Sequence, residues 1–348
     1  MKKILYISIV FLVTIACSKS EVSGDVYTGD LKFFNQSSLD EFGSKYPDIV
    51  EIEGKLVING ESINDISSLQ NISKVGGDLL IQELTQLSDL SSLSAIESVG
   101  GDLIIWNNQF QDLNGLNALS NIQGGLRIAD NPELLNISAL GTLSKVFNNI
   151  SIVNNDKLVD LQGLNNIDSI GSYMIINAND TLYDLTEFDM LKNINGDLII
   201  SENKFLKTLG NFPLLDSISG SLHILENDTL ETLAGLSNLS KLGNKLIVLD
   251  NKFLLNLDGL HLLEKVYGGS IKLDNNDILN SISALSGIDM SLFTELIITN
   301  NELLNDCNLT NICTYNSNEG SISLSNNGTN CSSVEDLTSA CLEKNNIE

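Results

Sequence analysis

Apolar and polar positions along this chain recur with a fixed beat. Residues 196–218 read GDLIISENKFLKTLGNFPLLDSI, and the next two stretches, SGSLHILENDTLETLAGLSNLSKL and GNKLIVLDNKFLLNLDGLHLLEKV, repeat that arrangement every 24 residues. Aligned on one asparagine, the units bring Asn108, Asn131, Asn155, Asn179, Asn203, Asn227, Asn251, Asn276, Asn301 and Asn327 into register, with Glu61 and Leu84 at that position in two earlier units. Apolar residues then follow at every third position, as in Leu206, Leu209, Phe212, Leu215 and Ile218. An alternating pair such as Leu222 and Ile224 closes the unit and leads to the next asparagine.

An α-helix would place its apolar residues at i, i+3, i+4 and i+7, and a strand would alternate throughout. This unit alternates only briefly, which predicts a short strand. Its strict period of three suits short extended or 3-10 segments turning about a common axis. A fixed period of roughly 20 to 50 residues is the mark of a solenoid, in which each coil buries its inner face against its neighbours. Alternating pairs beginning at Leu56, Leu79, Leu103, Leu126, Ile150, Met174, Leu198, Leu222, Leu246, Ile271, Leu296 and Ile322 predict about twelve coils of 23–26 residues. With strands stacked about 4.8 Å apart, the solenoid should be roughly 55 to 60 Å long. The asparagine at each strand end is expected to bond the backbone of its own turn and of the next coil, where bending would otherwise bury polar groups unpaired.

The repeat is expected to occupy residues 54–305. An open stack must be closed at both ends. Within 30–53, SSLDEFGSKYPDIVEIEG predicts a short helix near Leu39 to Tyr46, started by Ser37 or Ser38 and ended before Pro47, with a strand near Leu31 to Phe34. Residues 306–348 carry four cysteines and make the expected C-terminal cap. In an exported chain they form two disulfides. Cys307 lies six residues after Asn301 and Cys331 four after Asn327, while Cys313 and Cys341 lie twelve and fourteen residues after the same two asparagines. Stacked coils bring such positions within bridging reach, which predicts Cys307–Cys331 and Cys313–Cys341.

At this point the residues resemble a known family. LSAIESVGGDLIIWNN and LSNLSKLGNKLIVLDN are similar to the leucine-rich repeats of receptor L domains, which occur in growth-factor and insulin receptor ectodomains and in many bacterial surface proteins. The resemblance spans about residues 54–341. It implies a mainly β fold, a right-handed parallel β-solenoid, and a role in binding. It assigns no ligand-binding residue. The cysteine-bearing end likewise resembles that of bacterial proteins with these repeats.

Charge narrows the partners. The net charge is −26 and Arg127 is the single arginine, so nucleic acid and anionic headgroups are disfavoured. The start, MKKILYISIVFLVTIACSKS, sets two lysines before a short apolar run. It predicts a signal peptide over 1–16 and not a spanning helix, which would need roughly 20 apolar residues. TIAC resembles the lipobox of bacterial lipoproteins, which makes Cys17 the expected lipidation site and 17–29 a polar tether. The expected setting is the cell envelope, with an outer-membrane lipoprotein, on its periplasmic or its surface side, as the leading case and a lipid anchor as the sole membrane attachment.

Candidate chemistry is sparse. His223 and His261 lie on different faces and neither sits beside a nucleophile; no phosphate loop, HExxH or EF-hand motif occurs, and no cofactor or metal is expected. Glu202, Glu226 and Asp250 precede ladder asparagines on successive units. Stacked about 5 Å apart, they would allow acid–base work on a polysaccharide or calcium binding, against a plain reading as solvated turn acids. The outward strand position holds Val57, Leu80, Ile104, Arg127, Ser151, Ile175, Ile199, His223, Ile247, Lys272, Ile297 and Ser323, with Trp106 on the same face. Exposed apolar patches often mark partner sites, though β-branched residues also stack between coils for stability alone. The candidate face is Leu80, Ile104, Trp106, Arg127, Ile175, Ile199, His223 and Ile247, with the first four as its centre. Asp-Ser and Asp-Thr pairs ending at Ser169, Thr181, Ser217 and Thr229 resemble an O-glycosylation motif of some Gram-negative bacteria. The function expected from all this is non-enzymatic binding, either adhesion or capture of a protein or glycan through the sheet face, with a polysaccharide-active enzyme or a purely structural envelope protein as alternatives.

Overall fold

A computed structural model describes residues 22–345. The chain is mainly β. Among the described residues it forms two long sheets, a narrow one of 12 strands and a broad one of 13. Strand pairing is parallel apart from the hairpin of Val22–Ser23 with Val26–Tyr27 at the start of the narrow sheet.

Each unit up to the one ending in Ser270–Asp274 contributes one strand to each sheet, and the last two contribute only to the broad one. The alternating pair sits in a broad-sheet strand of four or five residues, such as Leu198–Ser201, Leu222–Leu225 and Lys245–Leu249. Register is one to one: Leu198 opposes Leu222, Ile199 opposes His223 and Ile200 opposes Ile224. The apolar pair of one unit therefore stacks on the apolar pair of the next, and a slip of one residue would turn it outward. The period-three arc between strands holds 3-10 turns such as Ser91–Leu93, Ser138–Leu140 and Ala234–Leu236. Leu206, Leu209, Phe212 and Leu215 are wholly buried, as are their counterparts along the stack, each side chain contributing roughly 1.5–3 kcal/mol. Phe188 and Phe212 replace leucine on adjacent coils and stack with ring centroids 5.3 Å apart.

The narrow sheet was not foreseen in the alternation. Its strands are only two residues long, as at Lys74–Val75 and Ser217–Ile218, where the last apolar residue of the period-three run meets its equivalent one unit on.

At the N-terminal end, helix α1 spans Gln36–Lys45 and buries Leu39 and Phe42. Its start differs from the expected serines. Asn35, in extended conformation, accepts a hydrogen bond from the Ser38 amide at 3.0 Å, so Ser37 and Ser38 fall inside the first turn. The expected tether also differs. Residues 22–29 include the hairpin, whose Tyr27 is buried edge-on against Phe42 at 6.1 Å. Cys17 and the expected signal peptide lie outside the described residues. Among the described residues no helix is long and apolar enough to cross a membrane.

At the C-terminal end the two sheets stop at different levels. The narrow sheet ends at Lys265–Val266, while the broad sheet continues through Ser270–Asp274, Glu295–Thr299 and Ile322–Ser325. Helices α2 (Thr310–Ser317) and α3 (Val334–Asn345) follow, neither of them legible in the repeat pattern. The disulfides are Cys307–Cys331 and Cys313–Cys341, with Cα separations of 5.5 and 5.7 Å.

Candidate functional site

The corner after each broad-sheet strand shows why the repeat carries its asparagine. Asn155 is wholly buried. Its Nδ2 donates to the carbonyls of Ile128 at 3.0 Å and Val153 at 3.1 Å, and to Asn179 Oδ1 at 3.2 Å. Its backbone N–H donates to the same Asn179 Oδ1 at 3.1 Å. The pattern recurs from Asn131 to Asn301, so the corner's buried donors and acceptors are paired. Leu84, which cannot accept, still donates its amide to Asn108 at 3.1 Å.

The residue before each ladder asparagine turns the strand into the arc, and it does so in the left-handed region. From Glu83 to Asn326, every residue of this column has φ between +51° and +57°. Asn and Asp tolerate that region best among residues with a side chain. They fill seven positions: Asn107, Asp130, Asn154, Asp250, Asn275, Asn300 and Asn326. Much of the column's polarity is therefore turn chemistry.

Glu202, Glu226 and Asp250 do come together on successive coils. They line a shallow groove of about 430 Å3 with Ala178, Asp228 and two lysines. Lys204 pairs with Asp180 at 2.6 Å and Lys252 with Asp228 at 2.8 Å, so both cations are engaged. Asn177 donates to Glu202 at 3.1 Å, and Asn275 donates to Asp250. Glu226, between them, has no hydrogen-bond partner for its carboxylate among the described residues. Its pKa is raised, first by partial burial and then by Glu202 and Asp250. Among the described residues no three His, Cys, Asp or Glu side chains are grouped to hold a metal ion.

The broad face is the second arrangement. Leu80 opposes Ile104, which opposes Arg127, and Trp106 stands two residues along from Ile104. Trp106 is half-buried and its indole N–H donates to Asp130 Oδ2 at 2.7 Å, which fixes the ring across two strands. Ile175, Ile199, His223 and Ile247 form a run on four successive strands. All are half-buried, because each β-branched or ring side chain is partly covered by its neighbours in register. Val57 and Ser151 of the outward column are buried outright, so the exposed column is interrupted at Ser151. The helices pack at the ends of the stack, against Leu31–Phe33 and Ile322–Ser325.

His223 is held below its usual pKa by burial, with Asp197 opposing and Lys245 reinforcing the shift. It is therefore neutral at physiological pH. His261 is exposed on the arc of the next coil. The hydroxyls of Ser169 and Ser217 donate to their preceding aspartates at 3.1 and 2.9 Å. Those of Thr181 and Thr229 donate to carbonyls of the previous coil, Asp156 at 2.5 Å and Lys204 at 3.0 Å.

Two further features leave no mark on the repeat pattern. One is a cavity of about 890 Å3 near α2, lined in part by Met290, Phe293, Tyr315 and Ser321. The other is Glu187, buried at a position where other units carry small residues such as Ala139, Gly163, Gly235 and Ala284, or the exposed Asn211. Among the described residues its Oε2 has no hydrogen-bond partner, and burial pushes its pKa up, with Asp184 and Asp160 adding to the shift.

Comparison with known proteins places a family on part of this frame. Residues 49–139 match the Receptor L domain family, and this stretch is receptor L-domain-like. No curated protein matches the chain.

Proposed function

We propose, from the receptor L-domain-like stretch and the broad face it shares with the rest of the stack, that this protein is a non-catalytic binding protein of the cell envelope. In this reading it is a right-handed solenoid of about twelve coils, closed by a helical N-terminal cap and a disulfide-bonded C-terminal cap, and lipidated at Cys17. It captures a protein or glycan on the broad face. The observation that carries the reading is the grouping of Leu80, Ile104, Trp106 and Arg127 on adjoining strands, with the indole fixed by Asp130. A fixed aromatic beside aliphatic surface and one unpaired cation offers much contact area at small entropic cost, the character of an interface anchor. Among the described residues the Arg127 guanidinium makes no ion pair.

Adhesion of cells carrying the protein to immobilised glycans and extracellular proteins tests this directly. The double variant Ile104→Asp/Trp106→Ala should abolish attachment while leaving the amount of protein unchanged. Attachment equal to that of the parent would end the reading. Protease digestion of intact cells, with a periplasmic protein as control, decides on which side of the outer membrane the search belongs.

A second reading, a polysaccharide-active enzyme, draws on one observation: the raised pKa of Glu226 between two carboxylates. It requires cleavage of some glycan by the parent and its loss in Glu226→Gln. The groove's shallowness and its turn-dictated composition favour binding over catalysis.

A further inference from the structure

We infer that the C-terminal cavity is a second, separate binding site, and that its ligand is a small neutral saccharide. The cavity follows from the mismatch between the sheets. Asp289 still follows the coil below, its amide bonding the Glu264 carbonyl at 2.9 Å. The chain then leaves the narrow-sheet path in a turn closed by the Phe293 amide on the Met290 carbonyl at 3.0 Å, and rejoins at Thr294. Above this segment the narrow sheet has no further strand among the described residues, and α2 covers only part of the space. About 890 Å3 is left between the segment, α2 and the turn at 318–321, within the range of pockets for small organic ligands.

The walls are fixed without a ligand. Asn311 on α2 donates to the carbonyls of Leu285 at 2.8 Å and Ile288 at 3.0 Å, riveting the helix to the arc. Tyr315 meets Phe293 edge-on at 6.0 Å. The opposite wall closes on the Tyr315 ring through Gly320, where a Cβ would lie 2.5 Å from ring carbons, and Glu319 takes φ +60° to make that turn. Any larger residue at 320 would push the turn off the ring.

The lining chooses the ligand class. Met290, Phe293 and Tyr315 give an apolar and aromatic floor. Around it stand Ser286, Thr310, Asn318 and Ser321, exposed side chains with no hydrogen bond among the described residues. Among the described residues no cationic side chain lines the space. The nearby Lys265 is engaged by Asp289 at 2.5 Å, which with the Ser291 amide at 2.9 Å also keeps that carboxylate ionised and occupied. Asp289 and Glu319 then repel anions. An uncharged molecule with one apolar face and several hydroxyls satisfies floor and rim together, and a pyranose has that form. This site does not depend on the broad face, and either can exist without the other.

Saturation-transfer NMR on the purified chain, with cellobiose, maltose and the disaccharide of N-acetylglucosamine as probes and glucuronic acid as the anionic control, tests the assignment. At least one neutral probe should bind. Ser321→Trp, which fills the cavity from an exposed position, should weaken that binding at least tenfold at an unchanged melting temperature. Asn318→Ala should weaken it about threefold, and Trp106→Ala should leave it as in the parent. The inference is overturned if no neutral probe binds, if Ser321→Trp binds like the parent, or if glucuronic acid binds as tightly as the neutral sugars. Loss of binding in Trp106→Ala would also overturn it, moving the sugar to the broad face.

Discussion

The side chain of Asn155 donates to the carboxamide oxygen of Asn179, 3.2 Å away, and that same oxygen receives the Asn155 backbone amide at 3.1 Å. One acceptor thus serves two buried donors of the preceding coil. Asn179 in turn donates to Ile152 and Asn177 carbonyls. Asn179→Ala should therefore leave several groups unpaired at once. With about 1–3 kcal/mol for each buried unsatisfied group, a loss of about 3 kcal/mol or more is expected in urea unfolding. Asn179→Asp should be nearly as damaging, since it keeps the acceptor but loses the donor.

Glu187 is expected to weaken the fold at neutral pH. Its pKa is raised in the folded chain, by burial first, so the fold favours the protonated form over the ionised one. The stability it permits is fully present below the ordinary carboxyl range, near about pH 4.3, and is lost as pH rises through the folded value. Glu187→Ala, which installs the residue found at Ala139 and Ala284, should stabilise by about 1 kcal/mol or more at pH 7. Thermal melts of parent and variant should converge as the pH falls to about 4. A constant gap across that range would remove the carboxyl from the explanation.

Backbone handedness predicts the next pair. Ala178 and Glu226 adopt φ of +51° and +54°, a region that costs an ordinary L-residue roughly 1–2 kcal/mol. Ala178→Asn and Glu226→Asn should each raise stability by about 0.5–1 kcal/mol. Glu226→Asn should gain slightly more, because it also relieves the repulsion from Glu202 and Asp250, and that surplus should shrink in high salt. Equal gains at all salt concentrations would show that the three acids do not interact.

The two disulfides should differ in access. Cys307 and Cys331 are wholly buried, whereas Cys313 is only partly so. Titration with dithiothreitol, followed by alkylation and mass mapping, should open Cys313–Cys341 first. Removing either bridge by paired Cys→Ala substitution should cost about 2–4 kcal/mol. Reduction of Cys307–Cys331 first would mean that the end of the stack opens more readily than its packing implies.

Trp106 is the only tryptophan, so its emission reports on the broad face alone. Asp130→Asn keeps an acceptor in place and should leave the spectrum nearly unchanged. Asp130→Ala frees the indole N–H, and the emission should move to longer wavelength. A ligand bound at Ile104 and Arg127 should shift the parent's emission, and a ligand in the C-terminal cavity should not.

What could be read in the sequence follows from repetition. Ten asparagines at one spacing cannot hide, and the cysteine pairing follows from their register. Two-residue strands such as Ser217–Ile218 are too short for alternation to register, so the narrow sheet was legible only as part of a period-three run. Asn35 and the serines after it are equally good helix starts by composition; the choice rests on the extended backbone at Asn35. The candidate face was legible as a list of positions, but not the burial of Val57 and Ser151, which depends on the bulk of neighbouring side chains. The C-terminal cavity lies where the repeat ends, and a residue pattern has no purchase on a space defined by a missing strand.

The asparagine column also gives the interior a polarity. Each carboxamide from Asn131 to Asn301 gives an N–H to the carboxamide oxygen of its C-terminal neighbour, while its own oxygen accepts from its N-terminal one. Turning one amide over would set N–H against N–H on one side and oxygen against oxygen on the other, and the backbone amide bound to that oxygen would lose its partner as well. No rung can therefore reverse alone. The side chain–side chain bonds of the ladder therefore share one direction along the stack and polarise one another, a direction set once for the whole column.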